Sequence, residues 1–65
     1  MLSLDKEVDL TCIETDKVAK GKIVRIQGNR VDVALDQGGL LISLYMKKPG
    51  LYDGSQSGLE FVMRS

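Results

Sequence analysis

Apolar and polar residues alternate with a period of two along most of the chain, which is the spacing of strands rather than helices. The clearest segment runs from Lys20 to Asp36. In it, Lys-Gly-Lys-Ile-Val-Arg-Ile-Gln and Arg-Val-Asp-Val-Ala-Leu-Asp flank the pair Gly28-Asn29. Both residues of that pair tolerate positive φ, so a two-residue type I′ or II′ hairpin is expected there. Centring the hairpin on the pair places Gln27 opposite Arg30, Ile26 opposite Val31 and Val24 opposite Val33. Arg25 then meets Asp32 on the other face as an opposite-charge cross-strand pair. A slip of one residue would set apolar against charged side chains, so this register is favoured over its neighbours.

Before the hairpin, Val8, Leu10 and Cys12 alternate with Glu7, Asp9 and Thr11, predicting a first strand over about residues 6–13; Glu14-Thr15-Asp16-Lys17 reads as a polar turn. After it, Asp36-Gln37-Gly38-Gly39 reads as a turn into Leu40–Met46, whose nearly continuous apolar run suggests a strand covered on both faces. Pro49-Gly50 suits the centre of a type II turn. Residues 51–58, with Asp53-Gly54, two serines and Gly58, read as a loop. In the last segment Leu59, Phe61 and Met63 alternate with Glu60 and Val62 as a closing strand. The expected fold is therefore all-β: one domain over residues 1–65, a five-stranded, partly open barrel of the SH3-like or OB-like kind.

Size and composition narrow the chemistry. In 65 residues there is no histidine and a single cysteine, Cys12. An intrachain disulfide is thereby excluded and a structural zinc site is not expected. So small a domain is marginal alone and gains from self-association. The commonest general acid–base is missing. Cys12 falls on the apolar side of its strand, as a small buried hydrophobe does. Glu7 and Asp9 read as solvated acids, and Gly38-Gly39 has neither the lysine nor the helix start of a phosphate loop. No catalytic residue, metal ligand or cofactor is expected. The opening residues become charged at Asp5, too early for the apolar core of a signal peptide. No apolar run approaches the length of a membrane helix. With one free thiol, this leads us to expect a cytoplasmic protein without a membrane partner.

Nine basic and nine acidic residues cancel, so no net field steers the chain toward nucleic acid. A local rim of Lys20, Lys22, Arg25, Arg30, Lys47 and Lys48 is the candidate contact for nucleic acid or another anion, although Tyr45, Tyr52 and Phe61 are few aromatics for stacking bases. More distinctive is a surplus of apolar residues. With Val24, Ile26, Val31, Val33, Ile42, Leu44, Phe61 and Met63 turned inward, Ile13, Ile23, Leu41, Tyr45 and Val62 face outward. Grouped apolar residues on a surface mark an interface. The leading expectation is a non-catalytic interaction module that forms a homo-oligomer and binds another protein. The alternatives are a nucleic-acid-binding barrel and a catalytic oligomer with its site between subunits.

Two local resemblances bear on this reading. Gly21–Ile26 with Val31-Asp32-Val33 resembles the opening hairpin of translation-associated barrels and ATPase N-terminal barrels, which speaks to a hairpin and not to an activity. Ser57-Gly58-Leu59-Glu60-Phe61 resembles the last strand of PilZ domains, which bind a cyclic dinucleotide. That family also carries an arginine-rich segment before its barrel and an Asp/Asn-x-Ser-x-x-Gly motif. Here no arginine precedes the first strand, and Asp36-Gln37-Gly38 lacks the serine. What this resemblance implies is a degenerate PilZ-like nucleotide-binding barrel.

Overall fold

The computed structural model describes residues 2–64; Met1 and Ser65, the outermost positions of the expected 1–65 domain, lie outside the described residues. Six strands follow in order: β1 (Glu7–Cys12), β2 (Lys17–Gln27), β3 (Arg30–Leu35), β4 (Leu41–Lys48), β5 (Leu51–Gln56) and β6 (Leu59–Arg64). Each pairs antiparallel with the next, and β6 returns to β1, so the sheet closes into a barrel. Among the described residues no helix is long and apolar enough to cross a membrane.

The all-β, small-barrel expectation agrees with this architecture, but the barrel has six strands rather than five and is closed rather than partly open. The sixth strand is β5, in the segment expected to be a loop. Its inward positions are Tyr52 and Gly54, opposite Met63 and Phe61. Tyr52 packs on the core. Gly54 lies so close to the Ser43 carbonyl that a Cβ would overlap it, so a glycine that reads as a turn is an interior contact. The turn proper is Ser57-Gly58, both at positive φ.

The hairpin on Gly28-Asn29 also agrees, with Gln27 opposite Arg30, Ile26 opposite Val31 and Arg25 opposite Asp32. One pair differs. Ile23, not Val24, stands opposite Val33, and the register shifts between Ile23 and Arg25. This bulge leaves two residues of β2 facing one of β3 and re-aims the side chains beyond it. Ile23, expected outside, is fully buried, while Val24, expected inside, is 47% exposed. Ile26 points inward but lies past the end of the core and is 39% exposed. The β4 strand is covered on one face only: Ile42 and Leu44 are buried, whereas Leu41 and Tyr45 are exposed.

Leu10, Cys12, Ile23, Val31, Val33, Ile42, Leu44, Phe61 and Met63 fill the barrel, with Leu2, Val8, Leu35 and Tyr52 at its margins. The N-terminal residues strap one end: Asp5 N–H donates to the Ile23 carbonyl (2.7 Å) and Ile23 N–H to the Lys6 carbonyl (3.0 Å). At the other end Met46 N–H donates to the Asn29 carbonyl (2.9 Å), tying the hairpin tip to β4.

Candidate interaction surface

Outward positions form a continuous row across the sheet. Starting on β2, Val18 neighbours Thr11, Thr11 neighbours Val62, Val62 neighbours Asp53, Asp53 neighbours Tyr45, and Tyr45 neighbours Arg30. Gln27 completes it back on β2. Ile13, 52% exposed, lies two positions beyond Thr11, and its N–H donates to the Glu60 carbonyl (2.9 Å). Ile13, Val18 and Val62 with Thr11 therefore form one apolar patch on the outer side of β2, β1 and β6. The patch opens into a shallow groove bounded by Leu2, Lys6, Glu7, Asp9 and Arg64.

Of the residues expected to form the apolar surface, Ile13 and Val62 meet in this patch, Val62 half-buried there. Tyr45 belongs to the same row two strands away, and Leu41 lies toward the other end of β4. Ile23 is in the core and is removed from the set. Val18 and Val24 are missed by the sequence reading. Val18 falls where a polar turn and lysines obscure the alternation, and Val24 is turned out by the bulge.

Acidic residues gather beside the patch along the β1–β6 seam. Glu14 accepts the Glu60 N–H through Oε1 (2.9 Å), which continues the β1–β6 seam beyond its last backbone pair. That bond, and a second from its own backbone, hold the Glu14 carboxyl below the usual carboxylate range. Glu60 is pushed the other way: its hydrogen bond with Asp53 and the repulsion from that carboxylate raise it, Glu14 adds to the rise, and Lys47 opposes it. Among the described residues no group of three or more His, Cys, Asp or Glu could hold a metal ion.

The basic candidates do not gather into one stripe. Lys20 stands opposite Asp9 and Lys22 opposite Glu7. Arg25 and Arg30 lie near the tip of the β2–β3 hairpin on either side of Asp32. That carboxylate is buried on the outer face of β3, and it accepts Ser43 Oγ–H at Oδ1 (2.8 Å) and Arg30 Nη2–H at Oδ2 (3.3 Å). Arg30 Nε lies 3.2 Å from Oδ1 but is misaligned for a hydrogen bond, leaving that contact Coulombic. Lys47 and Lys48 are at the end of β4.

No protein-family model matches the chain, and no curated protein or solved structure is significantly similar to it.

Proposed function

We propose that this barrel is a non-catalytic interaction module that binds protein, a second copy of itself in the first instance, through the outer face of β1 and its neighbours. The observation that carries the reading is the row Val18–Thr11–Val62 with Ile13 beside it. Three aliphatic side chains share one surface on a barrel whose inner face is already filled. A protein of this size gains stability in proportion to the apolar surface that association removes from water. Opposition of Lys20 and Lys22 to Asp9 and Glu7 supports protein over nucleic acid, because paired charges release few counterions from a phosphate backbone.

The total accessible surface is 4352 Å², so a standard interface of about 800 Å² per partner would take a large share of it. A smaller and weaker contact is expected, and the test belongs at high protein concentration. Sedimentation equilibrium across a concentration series should show a mass rising above 7.1 kDa, and Ile13→Lys should return it to the monomer while circular dichroism stays unchanged. Wild-type protein that remains monomeric at the highest concentration overturns the reading.

A further inference from the structure

The seam between β1 and β6 is closed at one end only. Strand β1 pairs with β2 along its whole length, but with β6 only at Thr11–Val62 and Cys12–Phe61. Met63 and Arg64 keep their pairing with Tyr52 and Leu51 on β5 but have left β1. Among the described residues, the Glu7–Leu10 stretch of β1 therefore has a partner strand on one side and none on the other. The strands part around a groove of about 580 Å³, whose apolar lining includes Leu2 and Val8, both half-buried against the core.

The phase of the ladder shows which backbone groups face that groove. In an antiparallel strand the N–H and C=O of one residue point to the same side, and successive residues alternate. The Lys6 carbonyl accepts the Ile23 N–H, so position 6 points toward β2. The Ile13 N–H donates to the Glu60 carbonyl, so position 13 points toward β6. Counting from either contact puts Glu7 and Asp9 on the β6 side. Each presents an N–H and a C=O there, in the spacing of a strand edge, where β6 has ended its pairing with β1. An unpaired edge of this kind is a template for an extended chain.

We infer that this edge takes up an extended segment of another protein, which adds to β1 as a further strand in the groove. Backbone bonds to Glu7 and Asp9 supply the attachment. The residue of the segment opposite Val8 points inward, onto Val8 and Leu2, and is apolar. Glu7 and Asp9 point outward, where Lys22 and Lys20 already face them from β2, and Lys6 and Arg64 line the groove with them. With both signs present, the segment is selected by its backbone and its apolar residue rather than by charge. A second copy is the poorer occupant. Its matching edge is its own β1, and a two-fold pairing of two such edges sets acid against acid whichever of Glu7 and Asp9 meet, which is destabilising. The self-association proposed above uses the outer face around Ile13 and Val62, and neither contact requires the other.

A capped, uncharged peptide of alternating threonine and valine is the probe, titrated into isotope-labelled protein kept dilute enough to stay monomeric and followed by amide NMR. Binding should shift and protect the Glu7 and Asp9 amides ahead of all others, and added salt should change the affinity by no more than about twofold, as befits a contact without net charge. With valine facing Val8, the threonine N–H groups face β1, so N-methylation of the threonines should abolish binding and N-methylation of the valines should not. Asp9→Pro removes a donor on the groove side and leaves the β2 pairing intact. With the fold checked by circular dichroism, it should bind about tenfold more weakly, the worth of one hydrogen bond, while Asp9→Asn binds as wild type does. Shifts centred on Thr11, Ile13 and Val18 with Glu7 and Asp9 unmoved, or binding that survives threonine methylation, overturn strand addition and leave self-association standing. Glu7 and Asp9 amides that become protected in concentrated protein without peptide place a second copy in the groove and overturn the choice of partner. No shift at the peptide's solubility limit overturns the inference, whereas wild-type protein that is monomeric throughout overturns only the self-association.

Discussion

Ile23 stands directly opposite Val33, and the neighbouring Val24 is displaced from the ladder to the outside of the barrel. Two adjacent aliphatic residues thus have opposite roles, which mutation can separate. Ile23→Ala removes a fully buried side chain and should cost about 2–5 kcal/mol, transfer and cavity contributions together. Val24→Ser changes an exposed position and should stay within about 0.5 kcal/mol. Urea denaturation of both variants checks this; equal losses would contradict the bulge.

The same pair marks where sequence reasoning stops. In β1 one face is apolar and the other polar, and in β3 and β6 only Ala34 and Val62 break that pattern on the outer face, so the alternation separates Leu10, Val31, Val33, Phe61 and Met63 from their outward-facing neighbours. In β2, Ile23 and Val24 are both β-branched and both suit a strand interior. Only the closure of the barrel decides between them, and that depends on partners far along the chain. Strand β5 is hidden for a related reason. Its inward face is built from Tyr52 and Gly54, which carry no aliphatic alternation, and the need for a glycine comes from Ser43 on the adjacent strand. The patch is partly legible through Ile13 and Val62; Val18, among lysines at the start of β2, is not.

Gly54 is a packing requirement rather than a turn. A Cβ there would overlap the Ser43 carbonyl and come within 3.1 Å of Leu44 Cδ2. Gly54→Ala should therefore force β4 and β5 apart and cost about 1–3 kcal/mol. Gly58 is the comparison: a Cβ there meets nothing, although its positive φ disfavours alanine. Thermal unfolding of both variants should rank Gly54→Ala as the more damaging, and the reverse order would contradict the close approach of β5 to β4.

Asp32 and Ser43 form a buried polar link across β3 and β4. Ser43→Ala removes one of the bonds that satisfy the carboxylate, with an expected loss of about 1 kcal/mol. Asp32→Ala should cost more, about 2–3 kcal/mol, because Ser43 and Arg30 then lose a charged acceptor together. In a double-mutant cycle the two substitutions should be coupled by about 0.5 kcal/mol or more. Strict additivity in guanidinium denaturation would show that the 2.8 Å contact contributes nothing.

Glu14 and Glu60 titrate in opposite senses, so acid should separate their variants. Glu14 is shifted below the ordinary value of 4.5 by the backbone bond from Glu60. Its contribution to stability is present above that value and disappears as pH falls through the lowered folded-state pKa. Glu60 is shifted above 4.5 by its hydrogen bond with Asp53 and by repulsion. Its contribution is full below 4.5 and is lost as pH rises through the raised folded-state pKa. At neutral pH, Glu14→Gln should therefore lower the unfolding midpoint relative to wild type, and Glu60→Gln should raise it, since an amide keeps a donor for Asp53 without the second negative charge. Both differences should shrink in strongly acidic solution, where the wild-type carboxyls are protonated too. Denaturation midpoints of the three proteins at pH 7 and pH ~3 give the comparison. Shifts of the same sign at neutral pH would show that the two carboxyls are not held in opposed environments at the β1–β6 seam.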